Sequence, residues 1–77
     1  MNRYTSYLEG MDIVDIAEDE SGYDYYGFNR WGSEEWCIKK VKTDFSEVRF
    51  IVGNKDYTTN WSGRGSLTNW KRPSEIG

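Results

Sequence analysis

Clustered carboxylates, a lone thiol and two glycine-bearing turns are the groups in this sequence that invite a chemical reading. Acid/base catalysis needs two carboxyls held across a pocket with divergent pKa values. Here Glu18, Asp19, Glu20 and Asp24 crowd one polar stretch, where water screens them, and the stretch reads as a solvated turn. Asp19-Glu20-Ser21-Gly22-Tyr23-Asp24 also lacks the alternating oxygen ligands and distal Glu of a calcium loop. Gly53-Asn54-Lys55-Asp56 shares letters with a nucleotide base-reading motif, but the spacing is wrong and no phosphate loop accompanies it. Gly63-Arg64-Gly65-Ser66 would cradle an anion if a strand ran directly into a helix there; the pattern is that of a plain turn. Cys37 is the single cysteine, which excludes an internal disulfide and the usual cysteine-based zinc sites. Beside Trp36 and Ile38 it reads as a buried, inert thiol. Histidine is absent, which removes the commonest general base and metal ligand. The residues therefore predict a chain that is not an enzyme, with no catalytic residues, no cofactor and no metal.

At 77 residues and 9.1 kDa the chain is one small domain. Leu, Ile, Val and Phe number 14, a low share, yet 13 aromatic residues and a net charge of only −3 argue against disorder. The core must lean on large rings. A domain with so few aliphatics is expected to complete its burial against a partner. No stretch approaches the roughly 18–20 apolar residues of a membrane span. No basic, apolar leader follows Met1, which predicts a chain without a secretory signal, so Asn60-Trp61-Ser62 carries little weight as a glycosylation acceptor. Charge is uneven: residues 1–24 sum to −6 and residues 25–77 to +3. The plain reading is an acidic solvated segment; the sharper one is docking on a basic surface, in its own domain or on a partner.

Along the chain, residues 1–10 read as an N-terminal arm carrying Tyr4, Tyr7 and Leu8, residues 11–70 as a single β-rich domain, and residues 71–77 as a loose tail. Residues 11–18 fit a helical face through Ile13, Val14, Ile16 and Ala17, but their β-branched richness favours a strand. Glu18 to Gly22 reads as a turn, Tyr23 to Phe28 as an aromatic strand and Asn29 to Ser33 as a loop. Residues 35–43 alternate, Trp36, Ile38, Lys40 and Lys42 against Cys37, Lys39, Val41 and Thr43. Residues 47–53 alternate again, Val48, Phe50 and Val52 against Arg49 and Ile51, so the two runs form an antiparallel hairpin. Gly53 to Asp56 is a turn, because Gly and Asn tolerate positive φ. Tyr57-Thr58-Thr59 reads as a last short strand, and the stretch after Asn60 as an irregular segment or one short helical turn that lays its rings on the sheet. The expected fold is mainly β: a small antiparallel sheet or open barrel-like meander of about four strands.

Aromatic and basic residues alternate on the hairpin, which raises a platform for single-stranded nucleic acid. The acidic pI of about 4.8 and the core-facing Trp36 and Ile38 oppose it, and Lys39, Lys40 and Lys42 read as wet hairpin edges. Exposed Trp and Tyr would stack equally well on sugar faces. An acidic, DNA-mimicking inhibitor of a host enzyme needs carboxylates spread over one surface, whereas seven of 13 crowd the first 24 residues.

The segment from Tyr25 to Leu67 resembles short virion-associated proteins of tailed bacteriophages, encoded among tail and tail-fibre genes. The matching pieces are Tyr26-Gly27, Gly32-Ser33, Trp36-Cys37-Ile38-Lys39-Lys40-Val41, Gly53-Asn54-Lys55-Asp56-Tyr57 and Trp61-Ser62-Gly63-Arg64-Gly65-Ser66-Leu67. Trp31 and Gly65 stand where those proteins often carry Pro and Ala. The resemblance implies a non-enzymatic structural subunit of a phage particle, a minor tail, neck or fibre-associated protein present in the virion and in host cytoplasm during assembly. Its implied partners are other virion proteins or further copies of itself; the composition gives no membrane span and disfavours nucleic acid. Trp31, Trp61, Arg64 and Trp70 are the expected partner-binding residues, because interface hot spots favour Trp and Arg. The alternative is a small module for a host-surface glycan or single-stranded nucleic acid, or the acidic inhibitor.

Overall fold

A computed structural model of the chain describes residues 8–76. Of the expected arm, Tyr4 and Tyr7 lie outside the described residues, as does Gly77 of the expected tail. Four strands, β1 (Met11–Glu20), β2 (Tyr23–Arg30), β3 (Trp36–Lys42) and β4 (Val48–Gly53), form one open antiparallel sheet in the order β1-β2-β3-β4. A short helix, α1 (Tyr57–Ser62), and 3-10 turns over Arg64–Ser66 and Pro73–Glu75 follow.

Local chemistry sets the joints. Ser21 and Gly22, at φ 51° and 87°, both take left-handed backbone between paired Glu20 and Tyr23, the twist a two-residue hairpin requires. The acidic turn expected over Glu18 to Gly22 is therefore shorter: Glu18, Asp19 and Glu20 belong to β1. The extra length is taken up by a bulge between Ala17 and Glu20, where Asp19 sits at φ 55° and its N–H donates to Asp24 Oδ1 at 2.8 Å. Asn29 and Arg30, expected in a loop, extend β2 because they pair with Asp12 and Met11 across the ladder. Between β3 and β4 the Ser46 N–H donates to Asp44 Oδ1 at 2.9 Å and the Phe45 N–H to Lys42 O at 2.7 Å.

The alternation read in β3 and β4 holds. Trp36, Ile38 and Lys40 face the same side as Gly53, Ile51 and Arg49; Cys37, Lys39 and Val41 share the other with Val52, Phe50 and Val48. Three expectations need correction. Tyr57-Thr58-Thr59 is the first turn of α1 and not a strand, because Tyr57 and Trp61, four residues apart, put both rings on one helical face against the sheet. Six residues cannot hold a helix alone; those rings do. The lysines do not lie on hairpin edges, since β3 is an inner strand. The tail is fastened: Lys71 exchanges two backbone hydrogen bonds with Phe50, at 2.8 and 2.6 Å, and caps the outer edge of β4.

The core on the α1 side consists of Tyr25, Trp36 and Ile38, with Ala17, Tyr57, Trp61, Leu67 and Trp70 packed against it. Two glycines make room. An added Cβ on Gly27 would lie 1.9 Å from the Tyr57 hydroxyl, and one on Gly53 would lie 2.3 Å from the Trp36 ring. The Trp36 indole N–H donates to Lys55 O at 2.7 Å, so a nearly sealed ring keeps its polar atom satisfied. Replacing Gly27 by Ala forces α1 off the sheet, and we expect a loss of about 2 kcal/mol, roughly 8–16 °C in Tm, by calorimetry.

Candidate docking surface

Among the described residues, the turn after β2 carries the most exposed ring. Arg30 and Glu35 close it: the Arg30 N–H donates to Glu35 O at 3.2 Å, and Arg30 Nε lies 2.6 Å from Glu35 Oε1. Arg30 also donates to the Glu9 carbonyl at 2.5 Å. Gly32, at φ 76°, supplies the left-handed step. Trp31 stands at the tip, 91% exposed. A pinned turn holds a large apolar ring in water.

The other three expected contact residues lie together elsewhere and face their own domain. Trp61 stacks on Tyr57 with ring centroids 6.2 Å apart and planes 25° off parallel. Arg64 forks onto Glu20 through Nε at 2.9 Å and Nη2 at 2.7 Å, and its Nη1 donates to Trp61 O at 2.7 Å. The same guanidinium lies 4.3 Å above the Trp61 ring and 5.8 Å from that of Tyr25. Trp70 tilts against Tyr25 at 6.2 Å and donates to Leu67 O at 2.9 Å. Lys40 Nζ sits 4.6 Å from both the Tyr23 and Trp70 rings. These contacts fasten the C-terminal half to one sheet face, so the structure does not join Trp61, Arg64 and Trp70 to Trp31 in one patch.

Four exposed apolar residues were not among the expected contact residues: Ile13, Val14 and Ile16 on β1, and Phe45 in the β3–β4 turn, 80% exposed. The signal was present in β1, where Ile13-Val14-Asp15-Ile16 breaks strict alternation. A bulge at Val14, between the pairs Ile13–Phe28 and Asp15–Gly27, is what that break encodes. On the face away from α1, Ile13, Tyr26, Phe28, Val41, Phe45 and Val48 line a groove of about 330 Å³, with Lys39 at its side.

The acidic segment is partly answered by its own domain. Glu20 is held by Arg64, and Asp15 accepts the Tyr57 hydroxyl at 2.7 Å. The carboxylates of Glu9, Asp12, Glu18 and Asp19 have no hydrogen-bond or ion-pair partner among the described residues. Burial pushes the Tyr57 phenol up, and the Asp15 carboxylate adds to the shift. Burial raises Tyr25 as well, with Glu20 contributing. Cys37 is fully buried and its thiol is pushed up to about 12, so it stays protonated and unreactive. Among the described residues no three potential ligands converge on a point that could hold a metal ion. What the arrangement offers is apolar contact area beside unpaired carboxylates.

Compared with known proteins, the chain matches no family model, no curated protein and no solved structure.

Two outcomes follow from the Arg64–Glu20 and Tyr57–Asp15 contacts. Arg64→Lys keeps the charge but loses the fork, and we expect urea melts to show a loss of about 1 kcal/mol. An unfolded phenol ionises near 10.0, below folded Tyr57, so the unfolded state sheds its proton first. Stability is therefore complete below that value and falls as pH rises above it. Tyr57→Phe should flatten this alkaline decline in melts between about pH 9 and 11.

Proposed function

We propose that this chain is a non-enzymatic structural subunit that works by docking on other proteins, in a particle of the tailed-bacteriophage kind. The observation that carries the docking reading is the contrast between a sheet face packed with rings and the apolar residues left outside. Trp31, Ile13, Val14, Ile16 and Phe45 are all about half or more exposed. Trp31 in particular contributes no packing to the fold, and Trp is the residue type most enriched at interface hot spots. Isolated exposed apolar residues are ordinary; Ile13, Val14 and Ile16 on one strand, with Ile13 and Phe45 lining an apolar groove, mark an interaction surface, and Trp31 adds an exposed ring at the end of β3 opposite Phe45. The particle assignment rests on the resemblance of Tyr25 to Leu67.

In this reading Trp31 is the docking anchor, while Trp61, Arg64 and Trp70 hold the sheet rigid behind it. Nucleic acid is the weaker candidate, because Lys39 and Lys40 are engaged over the Tyr26, Tyr23 and Trp70 rings.

Mass spectrometry of purified particles from the source organism tests the proposal, and absence of the chain from them overturns it. Trp31→Ala should leave Tm within about 1 °C of the parent, since the ring is 91% exposed. The same change should lower incorporation into particles by roughly tenfold or more, as loss of a hot-spot residue does.

A further inference from the structure

The two outer edges of the sheet are treated differently. On β4 the Lys71 backbone closes the edge at Phe50 with a pair of hydrogen bonds. On β1 no backbone group of the described residues pairs with the outer edge. That edge is ten residues long, about 33 Å at strand rise, and lacks the Lys or Pro that usually blunts an open strand. Ile13, Val14 and Ile16 are 53%, 47% and 58% exposed along it. It also carries Asp12, Asp15, Glu18, Asp19 and Glu20 with no basic residue.

Resting on the docking reading above, we propose that the β1 edge receives an extended basic segment of a partner protein, which adds to the sheet as a fifth strand. Main-chain hydrogen bonds supply the binding and the side chains of the added strand supply the selection. Charge decides the occupant. A second copy pairing β1 with β1 would set five carboxylates against five, and like charges on neighbouring strands oppose pairing. In a strand of alternating lysine or arginine and apolar residues, the basic side meets Asp12 while the apolar side covers Ile13 and Ile16. Glu18, on the Ile16 face, and Asp19, in the second bulge, add negative charge at the far end of the edge, and none of these three carboxylates has a partner among the described residues. The bulges at Val14 and before Glu20 limit straight pairing to short runs, which selects against indiscriminate strands.

The test uses the full chain, its backbone amides followed by NMR hydrogen exchange, and three synthetic ten-residue peptides. One alternates valine and lysine, one alternates valine and glutamate, and one has the lysine peptide's charge but a proline at every third position. The lysine peptide should slow exchange of outward-facing β1 amides at least about tenfold, and the effect should weaken in roughly 0.5 M salt. The other two should not. Asp12→Lys combined with Glu18→Lys alters two exposed, unpaired side chains, so the fold is retained on circular dichroism, and the preference should pass to the glutamate peptide. Equal protection by the proline or glutamate peptide overturns the proposal, as does protection confined to the groove or to β4. Protection of β1 that grows with protein concentration alone also overturns it, in favour of a second copy. If the lysine peptide fails while the chain is still found in particles and still needs Trp31, the edge proposal falls and the docking reading stands. If the peptide adds to β1 but the chain is absent from particles, the edge stands and the particle role falls.

Discussion

The close approach of Tyr57 and Trp61 to the sheet at Gly27 is the contact on which the rest of the molecule depends. A side chain larger than hydrogen at Gly27 would meet the Tyr57 ring, and without that ring α1 has nothing to hold six residues helical. Once α1 is seated, Trp61 offers its carbonyl and ring face to Arg64, and Arg64 reaches across to Glu20. Trp70 then closes over Tyr25 and Lys40. One face of a thin sheet is covered in this way by a single stretch of chain, with rings in place of the aliphatic side chains the sequence lacks.

The same set of contacts governs the acidic strand. β1 is joined to the sheet by its ladder with β2 and to the C-terminal half by Tyr57–Asp15 and Arg64–Glu20. Both side-chain ties act from the α1 side. Among the described residues nothing pairs with the outer edge, and the carboxylates of Asp12, Glu18 and Asp19 along it have no partner, so β1 is anchored on its inner side and open on the other. A partly buried guanidinium held over aromatic rings suits this role better than a lysine, because its planar fork fixes direction as well as charge. Lys40, by contrast, sits between two rings as a point charge.

Much of this sheet was legible in the residues. The alternation of β3 and β4 placed Trp36 and Ile38 inward, and Cys37 is buried as its apolar neighbours implied. The turn expected over Gly53 to Asp56 is shorter, since Gly53 ends β4 opposite Trp36 and the left-handed residue is Asp56, at φ 61°, not Gly53 or Asn54. The misreadings have a common origin. Tyr57-Thr58-Thr59 has β propensity, yet the spacing of Tyr57 and Trp61 is helical and tertiary packing overrides propensity in so short a segment. Lysines on alternating runs suggest edges, but strand order is a property of the whole sheet. Trp61, Arg64 and Trp70 lie in polar surroundings along the chain, and only in three dimensions do they become neighbours of Tyr25 and Tyr57.

By itself, the sequence determined that the chain is β-rich, ring-dependent, without histidine and with a single cysteine, and acidic at one end, because composition and alternation are local properties that need no partner in space. The tertiary structure decided which rings are covered and which stand in water, which carboxylates are answered and which are not, and which edge of the sheet is closed. Those outcomes depend on contacts between residues more than 40 positions apart, such as Arg64 with Glu20 and Trp70 with Tyr25, which no short window of sequence brings together.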